Sequence, residues 1–185
     1  MRNEFLDIKV TESAPTEPVT LTEVKAWATV DGDSFDTMLT ALIIQCRKAI
    51  EQKLNVSLVP KTIVFYANWC TAWELPRMPH AAITEVAIRD GVDSSNDPVY
   101  TALSKGTDWT WEGEISKRLC VYKPGVLRIT YTAGYGNSGL VIPDDLKNGL
   151  LQEIAYRFEH RGDEKGMKIS EGAMSFLEPH INYAW

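Results

Sequence analysis

A chain of 185 residues, 44% hydrophobic and 24% charged, has the composition of one folded domain, large enough to bury roughly 70% of its unfolded surface, and excludes extended disorder. Its 19 Lys and Arg stand against 25 Asp and Glu, a net charge of -6, and no window gathers the basic cluster that duplex phosphates require, which excludes tight nucleic-acid binding. No run approaches the ~18 apolar residues of a membrane span, and the opening "MRNEFLDIKV" lacks the apolar centre of a signal peptide, so a soluble, intracellular product without a membrane partner is expected.

The first element is announced by "EPVTLTEVKAW", in which Thr20 and Glu23 form the T-x-x-E capping box and predict a short helix from about Leu21 to Ala28. Next comes "VDGDSFDTML". Its Asp31, Asp33 and Asp36 suggest a calcium loop, but counted from Asp31 the spacing puts Phe35, Asp36 and Leu42 where an EF-hand needs an oxygen ligand, Gly and Glu. Asp33 is instead expected to cap a helix, with Asp36 in the first turn. Behind it Phe35, Leu39, Leu42, Ile43, Cys46, Ile50 and Leu54 recur at three and four, one apolar stripe that should end near Asn55, a tolerable left-handed terminator. The opposite face mixes Gln45, Lys48 and Gln52 with Ala41 and Ile44, a composition suited to packing on a second copy.

From "KTIVFYANW" the pattern changes to short β-branched and aromatic runs, read as an antiparallel meander with strands at Thr62 to Ala67, Ile83 to Arg89, Leu119 to Tyr122 and Val126 to Thr132. "LPRMP" and "DGVDSSNDP" are turn and loop by composition. In "DWTWEGE" the alternation of Trp109 and Trp111 puts both on one side of a strand, either as a stacking platform for a sugar or base, or as part of a sheet core or subunit contact. Cys46, Cys70 and Cys120 are odd in number and widely spaced, which predicts free thiols; His80, His160 and His180 lack ligand spacing, so no metal site is expected.

The stretch "TYTAGYGNSGLVIPDDLK" contains G-x-G-x-x-G at Gly134, Gly136 and Gly139. In a dinucleotide site the third glycine lies in the helix's first turn and a second strand follows. Here Pro143 starts the helix, predicted over Pro143 to Arg161 from Leu146, Leu150, Ile154 and Phe158, and "GDEKGMKISEG" follows it. The glycines therefore serve a turn, and no cofactor is expected. With no G-x-S-x-G, H-E-x-x-H or phosphate loop, no catalytic residue is assigned and the chain is not read as an enzyme. The tail "SEGAMSFLEPHINYAW" carries Phe176, Leu177, Ile181, Tyr183 and Trp185, too apolar for a solvated terminus and without an evident capped element.

Taken in order, "PVTLTEVKAW", "VDGDSFDTMLTALIIQCRKAIEQKLN", "LPRMPHAAITEV", "LRITYTAGYG" and "IPDDLKNGLLQEIAYRFEHRGD" resemble the head-tail connector (adaptor) proteins of tailed bacteriophages, over most of Pro18 to Gly162. The resemblance implies an α+β fold, antiparallel helices (a long central one and a C-terminal one) with an inserted antiparallel β-sheet subdomain. It divides a single connector domain, 1–185, into a helical part (18–60 and 140–162), a β-rich part (61–135) and a tail (163–185). It also implies a virion structural protein of the neck, assembled in the host bacterial cytoplasm as a ring of about twelve copies joined by head-to-tail contacts. The ring would sit beneath the portal protein, bear a tail-completion or stopper protein, and pass DNA through its channel without sequence-specific binding. Phe176, Leu177, Ile181, Tyr183 and Trp185 are then expected to contact the portal or a neighbouring subunit. The β region is longer than in all-helical members of that family. A competing reading is a carbohydrate- or peptide-binding module built on the Trp-rich β region.

Overall fold

Thr20 fixes the first helix as its sequence demands. In the computed structural model, which describes residues 5–12, 16–113, 118–136, 141–162 and 168–182, α1 (Leu21–Trp27) begins on a complete capping box, with the Thr20 hydroxyl accepting from the Glu23 N–H and the Glu23 carboxylate accepting from the Thr20 N–H. The long helix α2 (Asp36–Leu54) starts later than expected. Its N-cap is Phe35, which makes no side-chain cap, and Asp33 contributes only a backbone carbonyl to the Asp36 N–H. Packing replaces the missing carboxylate: Phe35 meets Phe158 edge-on at 5.3 Å, and the Asp36 carboxylate accepts from Lys25 Nζ at 2.7 Å. The far end follows the sequence, with Asn55 in the left-handed conformation at φ 54°.

Helix α3 (Asp144–Glu159) has Pro143 as its N-cap rather than its first residue, and Asp144 and Asp145 in its first turn. At its other end the His160 ring nitrogen and Arg161 Nη1 reach the carbonyls of Tyr156 and Phe158. A fourth helix, α4 (Glu171–Leu177), and a 3₁₀ turn (Glu178–His180) follow. Leu39, Ile43, Cys46, Ile50 and Leu54 of α2 close one hydrophobic core with Val24, Leu146, Leu150, Ile154, Ala173 and Leu177.

The segment between α2 and α3, joined by one strand from before α1, builds two antiparallel sheets. One orders β1 (Phe5–Glu12), β2 (Lys61–Asn68), β8 (Val126–Ala133), β4 (His80–Val92) and β5 (Pro98–Ala102); the other orders β3 (Ala72–Glu74), β7 (Arg118–Val121) and β6 (Trp109–Glu112). The expected meander is corrected here. The last strand, β8, inserts between β2 and β4, and β1 joins the sheet from the N-terminal side of the helices. Phe65, Ile129 and Tyr131 on the larger sheet face Trp73, Trp109, Leu119 and Val121 on the smaller, giving a second core between the two layers.

A belt of polar contacts joins the two cores. Tyr131 Oη donates to the Pro76 carbonyl at 2.8 Å, and a His80 ring nitrogen lies 3.1 Å from the same oxygen. The Met78–Pro79 bond is cis, with the Pro79 carbonyl accepting from the Gly134 N–H. Arg47, buried on α2, reaches Glu17 Oε2 (2.7 Å), Glu12 Oε1 (2.7 Å) and Glu51 Oε2 (3.1 Å), while Glu51 also takes Lys61 and the Leu58 N–H. The Glu12 contact is an ion pair without hydrogen-bond alignment, since that oxygen has no directed donor. Burial alone would disfavour the guanidinium charge; three carboxylates more than offset it and hold the group's pKa above its ordinary value.

Candidate assembly interface

The glycine stretch turns out to close a tight backbone contact. Gly134 sits at φ 111°, and a Cβ there would lie 2.1 Å from the Val59 carbonyl oxygen; Gly136, at φ 86°, lies beside the Pro60 ring. β8 can end against residues 59–60 only if position 134 has no side chain. Gly139 lies outside the described residues. Among the described residues no group of three or more His, Cys, Asp or Glu could hold a metal ion, and no helix is long and apolar enough to cross a membrane. Cys46 sits in the helical core, where burial pushes its thiol pKa up to about 12.

The tryptophan pair does share one face of β6, and that face points inward. Trp109 pairs with Val121 and Trp111 with Leu119 across β7. Trp109 is 4% exposed with its indole N–H donating to the Leu103 carbonyl, and Trp111 is half-buried against the same core with Lys105 Nζ 4.1 Å above its ring. A flat pair of exposed rings, which a sugar or base platform requires, is not formed by these two residues.

The tail requires a correction of a different kind. It is a capped element, since the Ser170 hydroxyl accepts from the Ala173 N–H and the buried Glu153 of α3 accepts from the Ser170 N–H at 2.8 Å. Leu177 is fully buried in the helical core, over Gly149 of α3, where an added Cβ would fall 2.6 Å from Leu177 Cδ2. Further on, the Asn182 N–H donates to the Leu54 carbonyl at the end of α2. Leu177 thus belongs to the monomer's core and is not available to a partner. Phe176 is 37% exposed and Ile181 half-buried against the helices. Tyr183 and Trp185 lie outside the described residues.

Surface apolar groups occur elsewhere. Ile44 on the outer face of α2, Tyr156 on α3 and Trp27 at the end of α1 are exposed, as are Phe5, Leu6 and Val10 on β1, an edge strand of the larger sheet. Phe5 and Val10 lie opposite Ala67 and the buried Ile63 on β2, so they continue the core-facing side of the sheet past the point where this chain covers it. Sequence reading missed β1, although Ile8 and Val10 alternate with Lys9 and Thr11; a strand so far in sequence from its partner β2 leaves no local turn signal. Exposed apolar side chains of this kind are suited to contact with other protein surfaces.

Residues 18–96, a little under half of the chain, match the family model described as Phage gp6-like head-tail connector protein. The resemblance drawn from the ordered sequence blocks is thereby borne out. The fold as a whole is similar to a chain in the neck of an empty gene transfer agent (GTA) particle computed with C6 symmetry, with TM-score 0.73 and 19% identity over 95% of both chains. It is similar also to a chain in the virion of a native GTA particle, with TM-score 0.71 and 21% identity over 94% of both chains. A chain in the neck of a native GTA particle computed with C12 symmetry gives TM-score 0.69 and 20% identity over 95% of this chain and 94% of the other. No curated protein sequence matches the chain. At these identities the structural likeness establishes the fold, a mixed α+β arrangement that includes the β region as well as the helices.

Proposed function

We propose that this protein is a structural component of the neck of a tailed-phage-like particle, a head-tail connector that assembles into a ring. The observation that carries the reading is the end-to-end likeness to chains of GTA particles, two of them described as neck structures and computed with C6 or C12 symmetry, together with the connector match over 18–96. In this reading about twelve copies close by head-to-tail contacts, with the portal protein on one side and a tail-completion or stopper protein on the other. DNA passes through the channel, and the excess of 25 acids over 19 bases suits a wall that does not retain it. Phe176, Ile181, Tyr183 and Trp185 remain proposed contacts to the portal or a neighbour, with Leu177 serving to seat them. Assembly takes place in the host cytoplasm, and the role is structural, not enzymatic.

The reading is tested by tagging the chain in the particle that carries it and imaging the particles by electron microscopy. Label is expected at the head-tail junction, and deletion of the chain is expected to leave filled heads without tails. Label along the tail tube or on the capsid faces, with normal particles in the deletion, would refute it.

A further inference from the structure

Two sets of charges at opposite ends of α2 are left without partners. Before the helix, loop 31–34 is exposed throughout; Asp33 does not cap α2, and neither Asp31 nor Asp33 has a side-chain hydrogen bond or ion pair among the described residues. Nearby cations are otherwise engaged, Lys25 by Asp36 and Arg161 by the rings of Phe35 and Phe158. At the other end a groove of about 750 Å³ lies between α2 and the segment leading into α4, lined by Ala49, Gln52, Lys53, Lys168, Ile169 and Met174. Lys53 and Lys168 are exposed and likewise unpaired among the described residues. Two lysines lining a groove that also offers Ala49, Ile169 and Met174 suit an anionic segment with small side chains.

We propose that this groove receives the acidic loop 31–34 of a second copy of the chain, so that Asp31 and Asp33 pair with Lys53 and Lys168 across the contact. The inference rests on the ring reading above and adds the surfaces that meet. Loop 31–34 fits the requirement, because Gly32 and Ser34 are small and the space around Gly32 is open, nothing lying within 4 Å of the position of a Cβ. Self-docking within one molecule is excluded, since α2 starts at Asp36 and its groove residues Ala49 to Lys53 lie roughly 20 to 26 Å along the helix from the loop. Pairing two different patches of identical chains is heterologous, and it closes a ring when the rotation returns on itself. Complementary charge across such a contact sets register and rejects wrong pairings, since like charges facing each other are repelled.

The test is a charge-swap mixing experiment on the full chain, read by sedimentation velocity over a concentration series at low ionic strength. One variant carries Asp31→Lys with Asp33→Lys; the other carries Lys53→Glu with Lys168→Glu. Thermal unfolding of each should stay within a few degrees of the natural chain, all four positions being exposed. Each variant alone is expected to associate at least about tenfold more weakly than the natural chain, because like charges now meet at the contact. An equimolar mixture should recover association, because the reversed loop of one variant fits the reversed groove of the other and the two natural surfaces still fit. The natural chain's association should also weaken as salt rises from about 0.05 M to about 0.5 M.

Unchanged association of either variant, or a mixture no stronger than its components, would overturn the proposal while leaving the neck reading intact. A groove variant that fails while the loop variant assembles normally would mean that the groove takes a different acidic segment of the second copy, and would equally overturn it. A natural chain that stays monomeric at every concentration, although its label is found at the head-tail junction, overturns this inference alone; recovery in the mixture with no label at the junction overturns the neck reading alone.

Discussion

Glu23 illustrates how one side chain serves two elements. Its carboxylate accepts from Lys147 Nζ on α3 at 2.7 Å and from the Thr20 backbone and hydroxyl, contacts that hold its pKa at about 2, below the ordinary 4.5. A folded-state pKa below the unfolded one means that the stabilisation is present above about pH 4.5 and is lost as pH falls through that value towards 2. The carboxylate is 40% exposed, so screening limits the effect to no more than about 1 kcal/mol. Glu23→Gln should therefore lower stability in urea at neutral pH by up to that amount and make little difference near about pH 2, where the natural carboxyl is itself losing its charge. An equal loss at both pH values would show that the carboxylate's charge is not what matters. Arg47 should be far less tolerant. Arg47→Ala leaves Glu51 buried with only Lys61 as its cationic partner and Glu12 and Glu17 without one, and should cost about 3 kcal/mol in denaturant unfolding, at the low end for breaking a buried pair. The capping box was legible because both partners lie within four residues. The Arg47 network was not, since its acids come from positions 12, 17 and 51 and the chain reverses between them.

At the scale of elements, α4 decides where the monomer ends. Leu177→Ala should cost about 2 to 5 kcal/mol, as emptying a filled core site does, whereas Phe176→Ala, at a 37% exposed position, should change unfolding by less than about 1 kcal/mol. Truncation after Glu171 removes both Ala173 and Leu177 from the helical core and is expected to abolish cooperative unfolding, the reverse of what a detachable tail would do. Circular dichroism melts of the three chains separate these outcomes, and an unchanged melt for the truncation would contradict the packing of α4 on α3. Sequence reading found the interior elements with strong local signals, namely the stripe of α2, its stop at Asn55, and strands β2, β4, β7 and β8. It missed α4 because a seven-residue helix has too little periodicity to register, and its N-terminus depends on Glu153, seventeen residues before Ser170. It misplaced the α2 cap because Asp33 has the right chemistry, while Phe35 wins by packing on Phe158. The order of β8 between β2 and β4 carries no local mark at all.

The whole molecule presents two cores, one among helices and one between sheets, joined by a charged belt, with apolar and charged groups left over on its surface. Among the described residues no group of three or more His, Cys, Asp or Glu could hold a metal ion, and Gly134 and Gly136 of the pattern that imitates a nucleotide loop lie against residues 59–60. Because 25 acids outnumber 19 bases, the isolated chain should not retard duplex DNA at physiological salt, and micromolar retardation with a steep salt dependence would argue against an inert conduit. The family resemblance was legible from the order of sequence blocks, none of which is decisive alone, whereas alternation in β6 left platform and sheet core both open for the tryptophan pair, because it does not say which side of the strand is inside, and the core alternative is the one the structure shows. The central claim is that this chain is the building block of a neck ring, and cryo-electron microscopy of the natural chain mixed with the portal of its own particle tests it most directly. The account predicts a closed, rotationally symmetric ring of this chain seated on one face of the portal; bare portals beside monomeric chain, at concentrations well above those in an infected cell, would contradict it.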